Sequence, residues 1–315
     1  MFVGLFLLLM TSSAPAGEQT VSLIFTSGPT GGSWIPMAGA VGEAVKRRFP
    51  EIDIQVEPGA GLVNMEKLRN GKAELAWSAP NVVFDARAGR GVWAGKQTDR
   101  PMLVAAFYPN VWQLVVPANS GIKSLRDLKG KAVALPARGN VSLSDGWEVL
   151  LKVNNMRLDD LGPKSYGPVA TNAEVVKNGQ AVALGWFTTV PASFVQDLGS
   201  AMKLRLIPVS DAEFALIKQI NPGFQRGVIK AGTYREQGIE GEVASFQLPT
   251  ILIAASTVPA DVIYKVTKAV VESRADFAVV TKAMTGVTAQ DMAQSYGMPY
   301  HPGAMKYFKD SRLLK

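Results

Sequence analysis

The chain has 315 residues, 47% of them hydrophobic and 19% charged, with 33 Lys and Arg against 26 Asp and Glu, a single His and no Cys. That length and apolar content bury one large core or two moderate ones and exclude global disorder. Without cysteine there is no disulfide and no thiolate metal site, and one histidine, His301, excludes a two-histidine metal site.

Residues Phe2 to Met10 form a short apolar run, followed by Ala14-Pro15-Ala16 ahead of Gly17. This pattern predicts a secretory signal peptide over residues 1–16. No later segment reaches the roughly 18 to 20 unbroken apolar residues of a membrane-spanning helix. Val21 to Phe25 reads as a strand, Thr26 to Ser33 as a glycine-rich loop, and Trp34, Met37, Ala38, Val41 and Val45 recur at helical spacing. Ser33 suits an N-cap and Pro36 a first turn. The formal charge of +7 is compatible with nucleic acid, an anionic membrane or an acidic ligand as partner. The longest basic cluster, Lys46-Arg47-Arg48, ends this helix, where cations complement the dipole. No nucleic-acid motif accompanies it, so no nucleic-acid partner is expected.

Ile52, Ile54 and Val56 alternate as a strand, Met65 to Arg69 reads as a short helix closed by Asn70-Gly71, and Glu74 to Trp77 opens the next strand. A second block repeats the plan, with Lys131 to Leu135 a strand, Pro136 to Ser142 a loop, Asp145 to Val153 a helix and Ala173 to Lys177 a shorter one. Asn178-Gly179-Gln180-Ala181 through Trp186 then echoes Asn70-Gly71-Lys72-Ala73 through Trp77. Two β-rich runs, Val111 to Pro117 and Pro249 to Ser256, are natural crossings between two lobes. The tail is helical, with Pro259 at N1 and an apolar stripe of Val262, Val266, Ala269 and Val270. Alternating strands and helices imply a mostly parallel sheet in each lobe.

In open parallel sheets, ligands collect where strand carboxyl ends lead into helix N-termini, whose free N–H groups favour anions. In the first loop Ser27, Thr30 and Ser33 bring hydroxyls, while Gly28, Gly31 and Gly32 allow close backbone approach. The loop is neither a dinucleotide fingerprint nor a P-loop, so no nucleotide cofactor is expected. Its counterpart holds Arg138, Asn140, Val141 and Ser142, where the guanidinium has the shape to clamp a carboxylate. Trp77, Ser78, Trp186 and Thr188 end strands on the ligand side, each tryptophan equally suited to wall a cleft or fill a core. Asn64 either caps its helix or reaches the ligand. His301 sits in Tyr300-His301-Pro302-Gly303, with no nucleophile elbow or S-x-x-K nearby, and reads as a structural turn residue. No catalytic residue is assigned.

The residues resemble the TAXI-family solute receptors of tripartite ATP-independent periplasmic (TRAP) transporters. The match runs through Thr26-Ser27-Gly28 to Ser33-Trp34, Gly61 with Asn64, Leu68-Arg69-Asn70-Gly71, Gly121 to Lys131, Gly232-Thr233-Tyr234 and the closing His301-Pro302-Gly303-Ala304-Met305-Lys306-Tyr307-Phe308. The resemblance implies a two-lobed type II periplasmic binding fold, in which each lobe is a mostly parallel sheet flanked by helices and two crossing strands join them. Lobe I would comprise residues 17–115 and 248–315, and lobe II residues 116–247. It further implies a monomeric, periplasmic, non-enzymatic receptor that closes on a small anionic organic solute, an organic acid or acidic amino acid, and passes it to TRAP permease subunits. Ligand positions carried over are the first loop, including Trp34 where the family has Tyr, together with Asn64, Ser78 and the second-lobe loop. Arg138 to Ser142 replaces a Gly-Ser-Gly, and Val182 a frequent Asp. An added arginine and a missing aspartate both favour an anion. An enzyme on the same scaffold, or a sensory subunit signalling to a partner, remains open at this level.

Overall fold

The computed structural model describes residues 20–28, 34–138 and 141–314, the last range without the side chains of 141–144. The predicted signal peptide lies outside these residues. In chain order the elements are β1 (Val21–Thr26), α1 (Trp34–Arg48), β2 (Ile52–Glu57), α2 (Gly61–Arg69), β3 (Leu75–Ser78), α3 (Pro80–Ala88) and β4 (Pro101–Pro117). There follow β5 (Val133–Pro136), α4 (Val141–Val153), β6 (Lys164–Gly167), α5 (Val169–Lys177), β7 (Leu184–Thr188), α6 (Ser193–Ala201), β8 (Leu204–Leu206), α7 (Asp211–Ile220) and β9 (Gln225–Ile229). The chain closes with β10 (Val243–Ala255), α8 (Ala260–Glu272), α9 (Ala289–Met292) and α10 (Pro302–Asp310).

All ten strands join one sheet in the order β2-β1-β3-β10-β4-β7-β5-β6, with β8 on β4 and β9 on β10. At one end β1 runs parallel to both β2 and β3, and at the other β5 runs parallel to β6 and β7. The parallel groups predicted for each half are therefore present, but β4 and β10 merge them into a single sheet. These two strands are longer than the predicted crossings, at 17 and 13 residues. Prolines at 101 and 109 broke the sequence signal, since a proline cannot donate to a ladder. Pro109 pairs with Pro249, and the register slips between Pro249 and Ile251. Two residues without N–H thus face each other at midspan, loosening the ladder where the two ends of the sheet meet.

The cores divide on either side of that point. One draws on residues from Leu23 to Tyr108 and from Ile251 to Phe308. The other two alternate along β4, with Trp112, Leu114 and Val116 in one and Val111 and Val115 in the other, so they cover opposite faces of the sheet. Trp112 fills its cluster tightly. A Cβ on Gly146 or Gly185 would lie 2.3 or 2.5 Å from its ring, so both positions need glycine.

α8 buries the predicted stripe of Val262, Val266, Ala269 and Val270 and, beside it, Ile263, Thr267 and Val271. Each buried Val or Ile among them contributes about 1.5–3 kcal/mol. Pro259 is its N-cap rather than its first residue. The basic cluster on α1 is paired: Lys46 with Asp53 at 3.2 Å, Arg47 with Asp276 at 3.3 Å, and Arg48 with Glu272. These exposed pairs each give at most about 1 kcal/mol, and two of them tie α1 to the α8 end of the chain.

His301 is buried and caps α10, its Nδ1 accepting from the Gly303 N–H at 3.3 Å. Burial holds its imidazole below the usual histidine range. Pro302 occupies the first helical turn, and a Cβ on Gly303 would stand 2.0 Å from the Ala260 carbonyl oxygen. His-Pro-Gly-Ala is thus a docking device that seats the last helix on α8.

Candidate functional site

β1 delivers Thr26, Ser27 and Gly28 to the carboxyl edge of its parallel group, and Asn64 on α2 holds them there. Its Nδ2 donates to the Ser27 and Trp77 carbonyls at 2.6 and 2.9 Å. Its Oδ1 accepts from the Thr26 hydroxyl at 2.9 Å and the Ala60 N–H at 3.0 Å. The amide is fully buried with both donors and both acceptor positions in use. Asn64 therefore joins the ends of β1 and β3 to the start of α2 and has no hydrogen-bonding capacity left for a solute. Trp77 is equally internal: it is fully buried, and its Nε1 donates to the Trp34 carbonyl at 3.0 Å. Trp34 is half-buried against this core, and a Cβ on Gly28 would meet its Cβ at 2.7 Å.

Two hydroxyls on this edge have capacity to spare. The Ser27 Oγ is buried with no partner among the described residues. The Ser78 hydroxyl makes only a 3.5 Å approach to the Ala79 carbonyl.

The second half repeats the clamp. Asn172 stands 108 positions after Asn64, and the same offset relates Gly59 to Gly167, Asn70 to Asn178, Gly71 to Gly179 and Ala73 to Ala181. The Asn172 Nδ2 donates to the Leu135 carbonyl at 2.7 Å, the counterpart of Ser27, and to Gly167 at 3.1 Å. Its Oδ1 is buried without a partner. The cause is local, for Thr26 corresponds to Ala134 and Ala60 to Pro168, and neither replacement can donate. Sequence reasoning missed Asn172, although the Asn-Gly echo carried the offset that finds it.

Arg138 follows β5 at the carboxyl edge of the second parallel group. Its guanidinium lies over the Tyr166 ring, 4.3 Å from the centroid. It is exposed and has no carboxylate partner among the described residues. Trp186 is half-buried against the core on one face of β7. Thr188 is half-buried and pairs with Val111 on β4. The loop after Thr188 is pinned by Tyr234, whose hydroxyl donates to the Gln113 Oε1 and accepts from the Ala192 N–H, both at 2.6 Å. Gln113 in turn donates to the Thr189 carbonyl at 3.2 Å. Burial pushes the Tyr234 phenol up to about 12. The Gly-Thr-Tyr motif thus fixes the loop after β7 to a crossing strand.

Strand register brings the two edges together. Ser78 pairs with Ile251, and Thr188 with Val111, which itself pairs with Gln247. Both parallel groups therefore end beside the Pro109–Val111 and Gln247–Pro249 crossing. Thr30, Gly31, Gly32, Ser33 and Asn140 lie outside the described residues, as do the side chains of Val141 and Ser142. Among the described residues no cluster of His, Cys, Asp or Glu has the makings of a metal site. No described helix is long and apolar enough to cross a membrane.

A family model described as "NMT1-like family" matches residues 25–311. The chain is similar over nearly its whole length to several solved structures. A periplasmic sulfonate-binding protein SsuA from Methylobacillus flagellatus KT is 15% identical, with 94% of this chain and 96% of that chain covered and a TM-score of 0.55. PhnD1 from Prochlorococcus marinus (MIT 9301), in complex with methylphosphonate, is 10% identical over 95% and 100%, with a TM-score of 0.52. A TctC solute binding protein from Polaromonas is 16% identical over 96% of each chain, with a TM-score of 0.51. The shared fold is that of periplasmic binding proteins, a mixed α/β architecture with a curled sheet and flanking helices.

Proposed function

The chain belongs to the NMT1-like family, and on that footing we propose that it is an extracytoplasmic receptor for a small anionic organic solute. Lobe I comprises residues 17–115 and 248–315 and lobe II residues 116–247, with the solute held between them. The observation that carries this reading is Arg138, an exposed guanidinium stacked on Tyr166 without a carboxylate partner among the described residues, at an edge that converges on the strand crossing. Ser27 and Ser78 bring hydroxyls from the facing edge. Gly28, Thr30, Gly31, Gly32, Ser33, Asn140, Val141 and Ser142 complete the two loops, and Trp34, Trp186 and Thr188 flank them. Asn64 and Asn172 position these edges without touching the solute.

The oxyanion class is supported by what the structural relatives bind, sulfonate in one and methylphosphonate in another. An organic acid or acidic amino acid presents comparable oxygens to a guanidinium fork. Delivery to a membrane permease of the TRAP type follows from the sequence resemblance to TAXI receptors. A monomer that releases its solute unchanged fits that role.

The test is a thermal-shift panel of C4 to C6 organic acids, acidic amino acids, alkanesulfonates and phosphonates. A cognate anion at a hundredfold its Kd adds about 2.7 kcal/mol of apparent stability, a rise of several degrees. Stabilisation by cationic or neutral solutes alone would count against the anion reading.

A further inference from the structure

We infer that Asn81, Asp145 and Asn221 form a latch that holds the two lobes shut, and that Asp145 takes up a proton as the latch closes. The inference rests on the two-lobe reading above, because Asn81 belongs to lobe I and its partners to lobe II.

The contact is built rather than incidental. Asn81 is fully buried in the first turn of α3, and its Nδ2 donates to the Asp145 Oδ2 on α4 at 2.6 Å. Its backbone carbonyl accepts from the Asn221 Nδ2 at 3.0 Å, and the Asn221 Oδ1 accepts from the Gly223 N–H at 2.8 Å. A Cβ on Gly223 would sit 2.3 Å from the Asn81 nitrogen, so only glycine lets this loop approach α3. Beside these residues Arg90 reaches across the same seam and donates to the Ile220 carbonyl at 2.8 Å. A cavity of 340 Å³ opens next to the contact, lined in part by Asp85, Arg90, Asp145, Glu148 and Lys152.

The charges around Asp145 make the latch sensitive to protons. From its own helix it is faced by Glu148 and, further along the cavity, Lys152; from α3 by Asp85; and from the turn after α3 by Arg90, already paired with Asp85 at 3.0 Å. The segment from Ile220 to Phe224 brings no titratable group to the cavity. Burial pushes the Asp145 carboxyl up to about 7, with Glu148 and Asp85 adding to the rise and the Asn81 amide opposing it. Asp85 is also raised, because its burial outweighs the attraction of Arg90. Separating the lobes exposes Asp145 to water and returns it toward an ordinary carboxylate. The closed form then binds the proton more tightly, so closure is most favoured below the ordinary carboxylate value of 3.8, weakens as pH rises from there to about 7, and changes no further above it.

The test needs no solute. The chain has no native cysteine, so spin labels at Val279→Cys and Leu158→Cys, both at exposed positions, report the inter-lobe distance by double electron–electron resonance. The ratio of closed to open molecules is expected to fall by up to tenfold per pH unit as pH rises from about 4 toward about 7, and to level off above that. Asp145→Asn, which mimics the neutral acid, keeps the closed distance from about pH 4 to about pH 8. Asn81→Ala is open throughout. A wild-type distribution that ignores pH, or an Asp145→Asn distribution that follows pH as the wild type does, overturns the latch. Because the measurement is made without solute, an empty solute panel with an intact pH response would reject the receptor reading and leave the latch standing. A bound anion with no pH response would do the reverse.

Discussion

Arg138→Ala is expected to weaken binding of the cognate anion by about 2–4 kcal/mol, roughly 30- to 1,000-fold in Kd, as measured by calorimetric titration. The guanidinium has no carboxylate to release among the described residues and is already held over Tyr166. It meets the solute preorganised, with little rotamer freedom left to lose. Arg138→Lys should recover only part of the affinity, because an ammonium restores the charge but neither the fork nor the stack. Since the side chain is exposed, the unliganded Tm should hardly move, with a change in stability within about 0.5 kcal/mol. An unchanged affinity in Arg138→Ala would remove this residue from the site.

Asn64→Ala should produce the largest loss of stability, about 3–5 kcal/mol, read from the denaturant midpoint or the Tm. Truncation strands two carbonyls, a hydroxyl and an N–H in a fully buried place, and all four were satisfied by one amide. Asn64→Asp separates hydrogen bonding from volume. It keeps the shape but turns two donors into acceptors facing carbonyls, and it should be at least as damaging. Asn172→Ala should cost less, near 2 kcal/mol, because that amide makes two bonds and its Oδ1 already lacks a partner. If the two alanine variants were equally destabilised, the clamp would not rest on its hydrogen bonds.

The alternation of strand, loop and helix was legible because its signals are local: apolar periodicity, Asn-Gly helix ends and glycine loops. The crossing strands were legible as β-rich runs but not in their length. Pro101 and Pro109 lie before the first predicted run and Pro249 opens the second, and only the structure shows Pro109 and Pro249 paired. Asn64 carried two sequence readings, helix cap or ligand contact. The structure gives a third, a tie between two strand ends, which depends on Trp77 and Ser27 being adjacent in space. Trp77 and Trp186, which the sequence suits equally to cleft or core, divide into a fully buried residue and a half-buried one.

Other features were invisible for a physical reason. Asp145 looks like any surface carboxylate of an amphipathic helix until Asn81, 64 positions away, meets it. The short strands β8 and β9 form only against β4 and β10, so their stability comes from partners distant in the chain rather than from their own composition. The resemblance to TAXI receptors named the Gly-Thr-Tyr and His-Pro-Gly-Ala motifs. The geometry supplies their work, which is to anchor a loop through Tyr234 and to seat the last helix through His301, Pro302 and Gly303.

The central claim is that two facing strand edges hold one small oxyanion between them. Equilibrium titration calorimetry with the panel's carboxylates, sulfonates and phosphonates tests it most directly. One anion per chain is expected to bind, at micromolar or tighter Kd and with a negative heat-capacity change from closing the cleft. Saturable binding of uncharged or cationic solutes, with every anion inert, would contradict it.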